Sequence, residues 1–402
     1  MADRSFLAWP FLDPFHQELH DRLDAWAAEN VPGLLPAEET TPGACASVRR
    51  LVEAMGPAGL LATAVGARDG SPFGPLDARA LCVSREVLAR HAGLADFAFA
   101  MQGLGSGPIS LHGTDDQKRR WLPAVAAGRM LSAFALSEEK AGSDVAAIET
   151  RAVRDGEHWR IDGTKKWISN AGIAGLYVVF ARTSSEGGSR GISAFVVEAG
   201  TPGFDVPEQI DLVSPHPIGS LRFDGARVPA ANMLGKPGDG FRIAMATLDV
   251  FRATVGAAAL GLARRALDEA LGHTLERRLF GQRLSDFQMT RASLSDMALA
   301  VDAAALLVYR AAWVKDASGA RVSREASMAK LFATEEAQKT IDATVQLFGG
   351  LGVTRGHIAE RLYREIRALR IYEGASEVQK LIISARTIEQ YEADRAVSGE
   401  RQ

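Results

Sequence analysis

The chain has 402 residues, 47% of them hydrophobic and 24% charged, with a formal net charge of −3. This describes a globular protein with apolar material for two or three cores and no charge excess for a polyanion such as nucleic acid. Cys45 and Cys82 are the sole cysteines, which excludes a disulfide framework and leads us to expect a reducing, cytoplasmic setting. No apolar run of the ~18–20 residues that span a bilayer is expected. Met1–Phe6 lacks the basic-then-apolar order of a secretory signal.

Residues 1–130 read as a helical domain. Phe15, Leu19, Leu23 and Trp26 recur at helical spacing, and further helices are predicted over 44–55, 77–91 and 115–127. Thr114-Asp115-Asp116-Gln117 supplies a polar start for the last of these. His16 and His20 are spaced i, i+4, but Gln17-Glu18 between them does not form a zinc-protease pattern and no third ligand is evident. A solvated or packed pair is expected. The Gly-rich run 103–107 follows helix and not strand, so it reads as a close backbone approach and not as a dinucleotide loop.

Residues 131–235 change to short β-rich runs, with strands predicted over 131–136, 176–181 and 192–197. Asp155-Gly156 and Asp162-Gly163 read as tight turns on either side of Trp159-Arg160-Ile161. A small barrel or sandwich is expected, and not a parallel α/β sheet. Residues 236–402 are helical again. Leu294, Met297, Val301, Ala304 and Val308 share one helix face, and a second helix from about 323 stops at Gly349-Gly350. A four-helix bundle is predicted, followed by a polar, frayed last dozen residues. The fold class is α+β, mainly α.

Four segments carry candidate chemistry. In Phe134–Asp144 a strand end, Leu136-Ser137, opens into Ala141-Gly142-Ser143. Taken alone it is either an ordinary turn or an edge that hydrogen-bonds a ring or a phosphate. In Gly163–Asn170, alternation puts Trp167 and Ser169 on one side of a strand. That pair suits either a barrel plug or a planar ring system. Arg277-Arg278-Leu279-Phe280-Gly281, with Phe287-Gln288, reads as a solvated helix face or a phosphate clamp. The fourth segment runs from Gln346-Leu347-Phe348-Gly349-Gly350 to Tyr372-Glu373-Gly374. There Glu373 sits on a break between helices, beside a glycine, where a carboxylate can project from the backbone as a general base.

Together these segments resemble the acyl-CoA dehydrogenase family of flavoproteins over nearly the whole chain. The first departs from the common family pattern, with Glu139 and Lys140 where Pro and Gly usually stand. The resemblance implies FAD as cofactor, with Leu136 and Ser137 at the flavin pyrimidine edge, Trp167 over one face and Ser169 near N5. Ala375 and Glu377 also belong to the implied cofactor site. Arg277, Phe280, Gln288, Gln346 and Gly350 are implied to reach the FAD of a neighbouring subunit, in a homotetramer built as a dimer of dimers. Ser143, Tyr372, Gly374, Arg252 and Asp249 are implied to contact the acyl-CoA.

The implied reaction is α,β-dehydrogenation to the trans-2-enoyl-CoA, with electrons passed to an electron-transfer flavoprotein. Glu373 removes the α proton while the flavin accepts the β hydride. The Glu373 backbone N–H and a flavin ribityl hydroxyl polarise the thioester, and exclusion of water strengthens the base. Some family members carry the base one residue before an active-site Arg. Here that position is Phe251, before Arg252, so the assignment rests on Glu373. The alternatives are an acyl-CoA oxidase, for which this chain is short, a nitroalkane oxidase or monooxygenase relative, and a non-enzymatic scaffold. The Gly-rich 103–107 run and the small residues of 253–261 hint at room for a compact branched or cyclic acyl group.

Overall fold

The structure, a computed structural model, describes residues 3–67, 74–184, 187–319 and 322–398. Residues 1 and 2 of the N-terminal segment and 399–402 of the C-terminal dozen lie outside these. In chain order the helices α1 (Pro14–Leu34), α2 (Thr41–Met55), α3 (Ala62–Val65), α4 (Ala78–His91), α5 (Gly93–His112) and α6 (Asp115–Ala126) come first. Strands β1 (Ser132–Ala135), β2 (Arg151–Asp155), β3 (His158–Ser169), β4 (Leu176–Arg182), β5 (Ile192–Glu198), β6 (Phe204–Gln209), β7 (Ile218–Pro229) and β8 (Met233–Leu234) follow. Then come α7 (Gly240–Glu276), the short β9 (Arg278–Leu279) and β10 (Gln282–Arg283), α8 (Gln288–Ser318), α9 (Ser323–Phe348), α10 (Ile358–Leu369) and α11 (Ser376–Ser398). The predicted order of helices, β region and helices is observed.

Residues 26–77 and 94–248 form one compact unit around an eight-stranded sheet. Its path is β6-β7-β3-β2-β4-β5-β8, with β1 paired to β4. Most ladders are antiparallel, but β1 runs parallel to β4, which the intervening β2–β3 hairpin makes possible. Strands β4 and β5 are buried along nearly their whole length, so both faces of the central sheet are covered. Trp121, Leu122 and Val125 of α6 pack there with Val178, Phe180, Ala194 and Val196. Gly105 of α5 presses on β1, where a Cβ would come within 2.6 Å of the Ala133 nitrogen. Gly105 of the Gly-rich run therefore serves helix-on-strand packing.

One predicted turn is corrected. Asp155-Gly156 does open the β2–β3 hairpin, but Asp162-Gly163 lies inside β3. The pairing with β7 shifts register between Ile161 and Gly163. Gly163, at φ 141°, has no room for a side chain against Thr150. The glycine makes a bulge, not a reversal.

Residues 1–25, 78–93 and 249–402 form the second unit. Helix α9 packs against α8, α10 and α11, and α4 packs against α8. Gly256 lets α7 approach α9, where a Cβ would sit 3.1 Å from the Ala329 carbonyl oxygen, and Gly261 lies hard against Glu86 of α4. Gly256 and Gly261 therefore serve helix packing. Inside the bundle Arg264 donates to Glu86 at 2.6 Å, and Tyr309 donates to the same carboxylate.

The stripe predicted for the first helix shifts by a turn: Leu19, Leu23, Ala27 and Val31 are buried, while Phe15 and Trp26 are half-buried. His16 and His20 are buried, which makes them a packed pair. Two helices, α7 and α8, are long and apolar enough to cross a bilayer, contrary to expectation, with 83% and 44% of their most apolar windows buried within the protein. At the C-terminus α11 continues to Ser398 where fraying was expected.

Candidate active site

One candidate group is the strand end after β1. Leu136 is buried and Ser137 half-buried, and the backbone beyond them is fixed by a closed turn. Glu138 and Ala141 exchange both N–H···O bonds at 3.1 Å, so Glu139 and Lys140 occupy an exposed tip. The departure from the family pattern is absorbed without the proline. Beneath the turn lies a buried ion pair. Lys165 donates to the Glu138 carboxylate at 2.8 Å and to the Leu136 carbonyl at 3.0 Å. Glu138 also accepts from the N–H groups of Glu149 and Thr150. Burial alone would raise its carboxyl, but Lys165 and these donors outweigh that and hold it below the usual range. Burial pushes Lys165 down to about 8. Ser143 stands exposed beyond the turn.

A second candidate group is the end of β3. Pairing with β7 shifts again between Lys165 and Ile168, and Trp167 adopts a left-handed backbone at φ 63°. The bulge turns the indole outward, leaving it 52% exposed. Ser169 follows beyond buried Ile168, on the accessible side with Trp167. An exposed aromatic offers a planar ring a platform to stack on. These residues therefore fit a flavin.

A third candidate group is the turn between α10 and α11. Glu373 has φ 51° and Gly374 φ 96°. Glu335 of α9 fastens both ends of this turn. It accepts two hydrogen bonds from Arg370, at 2.9 and 2.7 Å, and one from the Ser376 hydroxyl at 2.5 Å. The Gly374 carbonyl accepts from Lys330 and from Gln379, each at 2.9 Å. Lys330 is buried and pushed down to about 8 by that burial, while the Glu373 carboxylate is the strongest charge acting to support its ammonium. Arg252 of α7 also acts on Lys330. It donates to Asp249 at 2.7 Å, and Asp249 accepts from Ser323 at 3.0 Å. Phe251 beside it is buried. Tyr372 and Glu377 are exposed, and Ala375 is half-buried. The structure thus brings Glu373, Gly374, Arg252 and Asp249 into one cluster. Sequence reading missed its centre, Lys330, and its clamp, Glu335. Lys330 lies on the buried stripe Ser323, Ala326, Ser327, Lys330, Thr334 and Ala337, and a lysine in that periodicity was the available signal.

Arg277, Phe280, Gln288, Gln346 and Gly350 lie elsewhere. The β9–β10 hairpin carries Phe280 at its tip, 94% exposed and at φ 49°. His273, one turn before Arg277, stacks on Phe348 at 4.2 Å, which joins the ends of α7 and α9. Gln346 lies sixteen residues beyond Lys330 on α9, about 24 Å at the ordinary helical rise. Within one chain Gln346 therefore lies far along α9 from Lys330.

Among the described residues, Trp167, Asn170, Phe280 and Glu373 are the non-glycine positions with positive φ. Each falls in one of the four motif segments.

A helical region, a β region and a second helical region follow one another in the chain, in the order of the three domains of the acyl-CoA dehydrogenase family. The family models for the acyl-CoA dehydrogenase N-terminal, middle and C-terminal domains match residues 13–129, 133–226 and 238–388. The chain belongs to the acyl-CoA dehydrogenase family and, as its members are, is an FAD-dependent oxidoreductase. It is 42% identical over 280 residues to a short-chain specific acyl-CoA dehydrogenase of Clostridium acetobutylicum, covering 69% of this chain and 74% of that one. The solved butyryl-CoA dehydrogenase of Megasphaera elsdenii aligns at TM-score 0.84 and 31% identity, over 94% of this chain and 99% of that one. A glutaryl-CoA dehydrogenase of Mycobacterium smegmatis, solved in complex with FADH2, aligns at TM-score 0.83 and 28% identity, over 98% and 96%.

Proposed function

We propose that this enzyme removes the α proton of an acyl-CoA with Glu373 and so forms the trans-2-enoyl-CoA. The observation that carries this reading is the Glu373 turn. A carboxylate is held in a left-handed backbone, clamped from α9 and set beside a buried cation. Strain of this kind costs about 1–3 kcal/mol and persists where the surroundings enforce it. An α C–H is barely acidic, so the developing enolate oxygen needs a fixed donor. The backbone N–H of Glu373, held in the same turn, is assigned that role. FAD, when bound, supplies the hydride acceptor that no side chain can provide.

Leu136, Ser137, Trp167 and Ser169 are assigned to the flavin ring, and Ala375 and Glu377 to the cofactor. Ser143, Tyr372, Gly374, Asp249 and Arg252 are assigned to the acyl-CoA. Residues 1–130, 131–235 and 236–402 act as three working domains, the middle one for flavin and acyl-CoA, the last for the base and subunit contacts. The distance of about 24 Å along α9 between the Lys330 cluster and Gln346 favours cofactor completion by a neighbouring subunit, through Arg277, Phe280, Gln288, Gln346 and Gly350. Exposed Met289, Leu351 and Val353 near these residues favour a covered surface there, in a homotetramer. Two free cysteines fit a cytoplasmic setting.

A short acyl chain is assigned from the Clostridium and Megasphaera relatives, and an electron-transfer flavoprotein as acceptor. The test is flavin bleaching by short, long, branched and cyclic acyl-CoAs in wild type and Glu373→Gln. Bleaching is expected to be fastest with short chains and abolished in the variant. A near wild-type rate in Glu373→Gln would overturn the base assignment, and hydrogen peroxide formed at the turnover rate in air would make the protein an oxidase.

A further inference from the structure

Lys330 is a buried cation on the α9 face that meets the Glu373 turn. Its ammonium donates to the carbonyl of Gly374, the residue after the base, and Gln379 donates to the same oxygen. That carbonyl closes a two-residue stretch of positive φ, so holding it sets the direction in which Glu373 leaves the backbone. We propose that Lys330 is a positioning residue for Glu373: its ammonium fixes the turn through Gly374, and its charge keeps the neighbouring carboxylate ionised and able to take a proton. The inference rests on the reading of Glu373 as the base.

The charged groups around this pair come from four elements. Glu335 lies on α9, Arg252 on α7, Glu377 on α11, and Arg370 in the turn itself. Glu335 is engaged by Arg370 and Ser376, and Arg252 is engaged by Asp249. Lys330 is left as the cation whose hydrogen bond is to the turn backbone. A methionine there removes both hydrogen bond and charge, whereas a glutamine removes the charge and keeps a donor.

The test is single-turnover flavin reduction as a function of pH in wild-type, Lys330→Gln and Lys330→Met holoenzymes, with bound flavin and thermal unfolding recorded for each. The acidic limb of the rate profile is expected to move up by about one pH unit in both variants. The plateau rate in Lys330→Met is expected to fall at least about tenfold with KM little changed. Acidic limbs that coincide with wild type in folded, flavin-loaded variants would overturn the inference, and if Lys330→Met does not fold, Lys330→Gln decides alone. Glu373→Gln separates the two readings. An inactive Glu373→Gln beside unshifted Lys330 profiles refutes the role of Lys330 only, while an active Glu373→Gln refutes the base.

Discussion

Lys165 and Glu138 form an ion pair at 2.8 Å, 0% and 9% exposed in their side chains, and the same ammonium holds the Leu136 carbonyl. The pair thus stands directly behind the strand end assigned to the flavin. Removing one member of a buried pair strands the other charge, at about 3–5 kcal/mol. Lys165→Met is expected to destabilise by that amount in urea unfolding and to lower flavin content, and the double change Lys165→Met with Glu138→Gln to cost less than Lys165→Met alone.

The same pair makes acid stability measurable. The Glu138 carboxyl is lowered from its ordinary 4.5 in the folded chain, so the unfolded state binds the proton first. Its contribution is fully present above 4.5 and is lost as pH falls through the folded value. Melting temperature followed downward from pH 5 should drop less steeply in Glu138→Gln than in wild type.

Glu335 ties Arg370 and Ser376 across the base of the Glu373 turn. Glu335→Ala frees both ends without touching Glu373. A fall of about 10–100-fold in flavin reduction is expected from misplacement of the proposed base, with a stability loss of about 1–3 kcal/mol. Stopped-flow reduction and thermal unfolding of one preparation measure both.

Trp167 gives a test with opposite signs. Its backbone lies at φ 63°, where glycine carries no penalty. Trp167→Gly is expected to stabilise the flavin-free chain by about 1 kcal/mol while weakening flavin binding at least about tenfold. Calorimetry of the stripped protein and flavin titration would reveal the divergence.

Phe280 is exposed at the tip of the β9–β10 hairpin. Phe280→Ala should leave the unfolding of the isolated chain unchanged, yet lower assembly and flavin retention together. Sedimentation with simultaneous flavin absorbance reads both. A variant that stays assembled and fully loaded would remove Phe280 from the subunit contact.

Much of this was legible in the chain. Helix periodicity, the stop at Gly349 and the strands around 176–181 and 192–197 depend on residues a few positions apart, and all appear in the structure. Asp162-Gly163 misled because a glycine with positive φ serves a bulge as well as a turn. Glycines elsewhere in the chain serve close packing. Gly105, Gly256 and Gly261 make room, but the room is filled by β1, α9 and α4.

By itself the sequence determined the order of helices and strands, the four motif segments, and the placement of Glu373 beside Gly374 at a helix break. Each of these is a property of neighbouring residues. Tertiary structure alone decided what surrounds them. Glu138 meets Lys165 across 27 residues, and Lys330 meets Gly374 across 44. A lysine reads as a solvated charge until packing removes its water, and only then does it need, and hold, a particular oxygen.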